Sequence, residues 1–313
     1  MSRDARPVLL VGGAEDAHIA ALAARLREEG VEAVCVDTLA FPDQTRVTLG
    51  EGLDAITVDG RRIERPGAVY LRQLHAHPLA FGVDAGEEMD TDWRTTLVAF
   101  REKASLLRGL VGRWEALGVP VYNPISTEWR GEKPLQLSLL RDAGLPVPET
   151  LWTNHPEAVR HFAAGRRVAY KPVTGGAATR ELSAEDLTED RLATLGAAPV
   201  TFQQLLPGED LRVYVIDGEV VASLRIVSHA LDFRQNEELI EPFELSPELA
   251  RICVRATEVI GLRWTGMDLK LDAEGTPRIL ELNGSAMFLG FDARAGTDIL
   301  GRLAGALAGA ARN

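Results

Sequence analysis

Asp268 in GMDLKL and Glu281 in ILELN lie in two apolar stretches separated by Glu274-Gly275. That pattern predicts a β-hairpin, and a turn near Glu274-Gly275 places Asp268 almost opposite Glu281. Asn283 follows Glu281 by two positions, so both point to one face of the strand. Three hard oxygen donors would then converge, the kind of site that holds Mg2+ while phosphate oxygens fill the rest of its shell. Taken alone, the same residues also fit a solvated face of an antiparallel sheet, although Leu, Ile and Met around the carboxylates suit that less well.

Cationic residues supply the second half of the chemistry. Lys171 lies inside the apolar strand pattern VAYKPV, where a lysine either snorkels to solvent or faces an anion. It runs directly into Thr174-Gly175-Gly176, a turn whose backbone amides are little obstructed and suit phosphate oxygens. Lys133, ahead of a helix, is a second phosphate candidate, or else an ordinary surface lysine. Arg212, Arg225 and Arg234 fall on or beside one hairpin pattern. They either clamp phosphate or carboxylate, or pair with the many Asp and Glu side chains.

The elements that must position these groups follow from periodicity. PVLLVGG, a helical pattern over Asp16–Glu29 closed by Gly30, and VEAVCVD form a βαβ opening. Gly12-Gly13 lacks the third glycine of a dinucleotide fingerprint. AITVDGRRI and LRVYVIDGEVVASLRIV are hairpins turning on Asp59-Gly60 and Asp217-Gly218. Helices are expected over 90–117, 132–143, 246–260 and 298–311. The stretch 126–164 reads as helix-rich, broken by the extended LPVPET, and strands are expected at 167–173 and 199–206.

Bulk properties bound the class. The chain has 313 residues, 46% hydrophobic and 26% charged, enough for two or three packed lobes. Its net charge of −12 argues against nucleic acid or an anionic membrane as a partner, while local lysines can still bind a nucleotide. Cys35 and Cys253 lie in apolar runs without metal-binding spacing and read as buried thiols. The polar stretch Met1–Pro7 is not a signal sequence, and no apolar run approaches the roughly 20 residues of a membrane span. A cytoplasmic location is the expectation.

The order of features has a counterpart. Lys133 before a helix and GLPVPET, then YKPVTGG, FQQLLPGEDLRVYVIDGEVVAS, DFRQN, GMDLKL and ILELNGS resembles the ATP-grasp superfamily, in particular its RimK-like branch, over about residues 123–313. The resemblance implies an α/β (α+β) ATP-grasp fold. Residues 1–122 would form an N-terminal pre-ATP-grasp domain, 123–205 a central lobe and 206–313 a C-terminal lobe carrying the metal site. It implies ATP with Mg2+, or Mn2+ in its place, and an acyl phosphate captured by an amine or hydroxyl. By position, Lys133 and Lys171 would contact the phosphates, with Gly175 and Gly176 in the loop over them. Gln203, Gln204, Leu205 and Leu206 would form the adenine hinge, and Asp210 would sit near the ribose. Arg212 would lie near phosphates or substrate, Arg234 would stabilise the acyl phosphate with Asn236 assisting, and Asp268, Glu281 and Asn283 would hold the metal. TGGAATREL departs from the richer Ser/Gly loop usual in this branch.

A narrower resemblance links VYLRQL, PETLWTNHPEAVRHF and ATRELSAEDL to the graspetide synthetases, which macrocyclise ribosomal peptides through side-chain ester or amide links. ELNGSAMFLGFDARAG is nearer to general RimK-like ligases. The substrate expected is a peptide or small molecule bearing a carboxylate. The apolar elements of the first domain would bury a core or a homodimer interface. Two rivals stand beside the ligase: a nucleotide-binding protein without catalysis, and a nicotinamide-dependent oxidoreductase built on the βαβ unit.

Overall fold

The computed structural model describes residues 6–50, 55–74, 86–174, 178–228 and 239–313, and for 86–91 the backbone alone. The chain opens with β1 (Val8–Gly12), α1 (Ala17–Glu28) and β2 (Ala33–Asp37). Asp16 caps α1 by accepting from the His18 amide. A small antiparallel sheet follows: β3 (Val47–Leu49), β4 (Ile56–Val58) and β5 (Arg61–Ile63). Then come β6 (Ala68–Leu71), α2 (Gly86–Ala116) and β7 (Val121–Tyr122). Strands β2-β1-β6-β7 form one parallel sheet, as the βαβ pattern requires. Helix α2 begins earlier than its charge pattern predicts and breaks at Asp92, whose backbone is non-helical.

Next come α3 (Lys133–Asp142), β8 (Thr150–Thr153), α4 (Pro156–Ala163), β9 (Val168–Pro172), β10 (Arg180–Glu181), α5 (Glu189–Ala193) and β11 (Val200–Gln204). The four strands make an antiparallel sheet in the order β10-β9-β11-β8. Strand β8 falls inside the stretch read as helix-rich. It gains its ladder from β11, about fifty residues away, which local periodicity does not register.

The last part holds β12 (Asp210–Ile216), β13 (Glu219–Val227), β14 (Leu239–Pro242), α6 (Pro247–Ile260), β15 (Trp264–Leu271), β16 (Pro277–Asn283), α7 (Leu289–Ala295) and α8 (Ile299–Arg312). Its five-stranded antiparallel sheet runs β14-β13-β12-β15-β16. The β12–β13 turn needs positive φ at two successive residues, and Asp217 (φ 44°) with Gly218 (φ 83°) supply it.

Period-two alternation decides the packing. Leu211, Val213 and Val215 of β12, with Met267 and Leu269 of β15 and Ile279 of β16, pack against Leu137 and Leu140 of α3 and Leu249, Cys253 and Ile260 of α6. The opposite face is divided. Tyr214, Ile216 and Trp264 join a core shared with α8 and with Val8, Leu10, Leu22 and Leu26 of the N-terminal layer. The remainder of that face, at Asp210 and Arg212, is polar. No helix among the described residues is long and apolar enough to cross a membrane.

Candidate active site

Strand register puts Arg212 of β12, Asp268 of β15 and Glu281 of β16 in one row. The row lies on the polar face because each residue is two positions from another of that face. Glu281 reaches it only through an irregularity. Asp268 pairs with Glu281 but Leu269 pairs with Ile279, so Leu280 is an extra residue. In a regular strand Ile279 and Glu281 would share a face. The bulge lets Ile279 enter the core while Glu281 faces Asp268.

Each carboxylate is balanced by its own cation. Arg212 Nη1 donates to Asp268 Oδ1 at 2.5 Å, and Lys133 Nζ lies 2.7 Å from Glu281 Oε2. Lys133 arrives from the first residue of α3. Arg212 is 5% exposed, and its guanidinium sits 5.2 Å from the Tyr214 ring centre and 5.8 Å from that of Phe291. Gly266, one rung along, leaves it room: a Cβ there would lie 2.5 Å from Arg212 Nη2.

Burial raises the Asp268 pKa above the usual carboxylate range; Arg212 opposes this and the facing Glu281 adds to it. Burial also pushes Glu281 upward, but Lys133, then Lys171 and Arg212, bring it below its ordinary value. Glu281 is therefore ionised at neutral pH, and positive charge between the two carboxylates relieves their mutual repulsion. Burial raises Tyr214 to about 12, and its hydroxyl donates to the Met287 carbonyl.

Lys171 comes from the other sheet, on β9, and donates to Gln203 Oε1 at 3.3 Å; Gln203 in turn donates to Thr150 Oγ1. Beyond β11, Leu205 and Leu206 are buried in the link between the two sheets. There the Gln204 amide donates to the Glu149 carbonyl and that of Leu205 to the Arg167 carbonyl. Asp210 is paired with Lys270 at 2.6 Å. Arg225 resolves its two readings toward salt bridges, with Glu241 and Glu209. Asn283, exposed, stands on the Gly266 rung and accepts from Thr265 Oγ1 through its backbone carbonyl. Gly175, Gly176, Arg234 and Asn236 lie outside the described residues.

Two carboxylates and an amide oxygen fit Mg2+. Such a set suits an ion that keeps water and phosphate oxygens in its shell. Arg212 Nε and Thr201 Oγ1 are buried donors without a hydrogen-bond partner. Both lie on rows that carry site residues, Thr201 opposite Lys171, and both suit an anionic oxygen.

Three residues missed by motif reading tie the N-terminal layer to this strand end. Asn123, after β7, accepts from the Arg263 and Trp264 amides and donates to the Trp264 and Gly284 carbonyls. Arg72, after β6, bonds Asp16 and the Ser285 and Ala286 carbonyls. His18 accepts from the Phe288 amide. None has a local signal for this joint, because each contact with residues 263–288 spans more than 135 positions.

The model of the RimK-like ATP-grasp domain matches residues 197–307. Over nearly its whole length the chain is 51% identical to the ATP-grasp ligase PsnB, solved with a phosphomimetic variant of a minimal precursor, Mg and ADP. That match covers 98% of this chain and 99% of PsnB at a TM-score of 0.93. The protein belongs to the RimK-like ATP-grasp ligases. It is 29% identical over 206 residues to a probable alpha-L-glutamate ligase of Thioalkalivibrio sulfidiphilus (strain HL-EbGR7), spanning 61% of this chain and 68% of that protein. Macrocyclase MdnC, bound with precursor peptide MdnA from Microcystis aeruginosa MRC, shares the fold at 22% identity and a TM-score of 0.76, with 96% and 98% covered. The fold class, the ligase activity and the RimK-like branch expected from the sequence are thereby established, and the oxidoreductase and non-catalytic readings fall away.

Proposed function

We propose that the chain cross-links a ribosomal precursor peptide within itself, using Mg-ATP to activate a side-chain carboxylate that a side-chain hydroxyl or amine then captures. The observation that carries the chemistry is the Arg212–Asp268–Glu281–Lys133 row, where two carboxylates are held between two cations on the polar face of one sheet. The full-length likeness to PsnB, whose structure holds a precursor, supports a peptide as substrate. The match to the glutamate ligase stops well short of full length.

In this reading the substrate carboxylate oxygen attacks the γ-phosphorus of ATP and ADP leaves. The peptide nucleophile then attacks the acyl carbon, loses its proton and expels phosphate. Lys133 and Lys171 hold phosphate oxygens, and Arg212 orients Asp268 and favours its charged form against the effect of burial. Asp268, Glu281 and Asn283 hold the Mg2+, which neutralises charge developing on the phosphates. Positioning and charge stabilisation carry the rate, so no protein nucleophile is required. Asp210, held by Lys270, contributes to the ribose side, and Gln203–Leu206 form the adenine hinge. The sheets support a division at 122 and 205, two of the four falling before it, one between and one after. The net charge of −12 supports a substrate other than nucleic acid or membrane.

Intact mass spectrometry of a candidate precursor peptide after incubation with the enzyme and Mg-ATP tests this. A product lighter by one water per event, with nothing joined, is expected. A product heavier by an amino acid residue would overturn cross-linking in favour of intermolecular ligation.

A further inference from the structure

Strand β16 ends its sheet, so among the described residues one side of its backbone has no neighbouring strand. An unpaired edge beside a catalytic carboxylate is free to shift along its length. Two groups cover it. The Ile279 amide donates to the Pro146 carbonyl at 2.7 Å. Three residues on, the side chain of Gln136 takes the place of a strand: the Leu282 amide donates to Gln136 Oε1 at 2.8 Å, and Gln136 Nε2 donates to the Leu282 carbonyl at 3.0 Å.

Leu282 lies between Glu281 and Asn283, so these bonds fix the peptide groups on either side of it. Gln136 is 1% exposed and follows Lys133 by three positions on α3, on the same side of the helix. Lys133 in turn lies 2.7 Å from Glu281 Oε2. Helix and strand are thus joined twice within one helical turn, once by a neutral amide and once by an ion pair. The ion pair must loosen if Lys133 is to serve phosphate and Glu281 a metal; the amide clamp need not.

We propose that Gln136 is a positioning residue whose two bonds to Leu282 hold Glu281 and Asn283 at a fixed distance from Lys133, so that metal ligands and phosphate-binding ammonium meet the same nucleotide. This rests on the Mg-ATP reading of the site. The amide is the suited group because it donates and accepts at once. A carboxylate there only accepts, a protonated carboxyl does both, and a thioether does neither usefully.

The test is calorimetric binding of ADP to the full chain over a range of Mg2+ concentrations. In Gln136→Met the Mg2+ needed to tighten ADP binding should rise by about 10–100-fold, as when other groups that orient metal ligands are removed, with Mg2+-free ADP binding retained. Leu140→Ala, a core change in the same helix, should lower thermal stability at least as far while leaving the Mg2+ requirement as in the parent. Gln136→Glu should approach the parent's Mg2+ requirement as pH is lowered and its carboxyl is protonated, each pH being compared with the parent. That variant also carries the test if Gln136→Met does not fold. An unchanged Mg2+ requirement in Gln136→Met, an equal shift in Leu140→Ala, or a deficit in Gln136→Glu that ignores pH would overturn the proposal. Glu281→Gln separates the two levels: if it keeps the full Mg2+ effect the site reading itself fails, whereas loss there with a normal Gln136→Met refutes only the role of Gln136.

Discussion

Asp268 and Glu281 face each other on neighbouring strands, yet each is held by a cation from a different direction, Arg212 from inside the sheet and Lys133 from the start of α3. On the proposed metal site Glu281→Ala removes one ligand, and it leaves Lys133 without its counter-charge. ADP release in the presence of peptide should fall by about 10²–10³-fold or more, the range for removing one group that stabilises developing charge. Circular dichroism should show an intact fold. Near-normal turnover would remove Glu281 from the metal site.

Gly266→Ala probes the seat of Arg212. The new Cβ would stand 2.5 Å from Arg212 Nη2 and 2.6 Å from Ala286 Cβ, and Arg212 has little space into which to move. Overpacking of this kind costs about 1–3 kcal/mol. Urea unfolding should show that loss, and turnover at a temperature where the variant is folded should fall as well, because Arg212 is displaced from Asp268. A destabilised variant with normal turnover would mean that the Arg212–Asp268 contact is not needed for the reaction.

Asn123→Ala tests the joint between layers. Its amide serves four backbone groups, those of Arg263, Trp264 (twice) and Gly284. A buried group left unsatisfied costs about 1–3 kcal/mol, so the unfolding free energy should drop by several such increments. A loss no larger than one of them would show that water replaces the side chain.

His18 should make stability depend on pH. Its ring faces Asp16, Arg72 and the Phe288 amide; burial first, then Arg72, lowers its pKa below the ordinary 6.5 despite Asp16. The folded state therefore resists the proton that the unfolded chain accepts. This contribution is fully present above about pH 7 and shrinks as pH falls below about 6.5. Melting temperature followed from pH 8 to 5 should decline less steeply in His18→Gln than in the parent. Parallel curves would refute the assignment.

Features set by local rules were legible in the sequence. The Asp217-Gly218 turn follows from its need for positive φ, and the opposition of Asp268 and Glu281 from strand alternation about a turn. Alternation alone would have put Ile279 on the same face as Glu281; the bulge at Leu280 has no composition that announces it. The short strand β14 and helix α7 also went unforeseen. Gln136, Asn123, Arg72 and His18 were passed over for a common reason. Each acts on backbone groups more than 135 positions away, where neither periodicity nor motif spacing carries information.

The placement of α8 has a consequence for biosynthesis. Leu303, Leu307 and Ala311 share a core with Val8, Leu10, Leu22 and Leu26. Strand β1 and helix α1 therefore wait for a helix some three hundred residues further along before their shared apolar side is fully covered. Such long-range closure slows folding and leaves sticky surface exposed meanwhile. Strand β1 and helix α1, made well before α8, are thus among the last parts to finish folding.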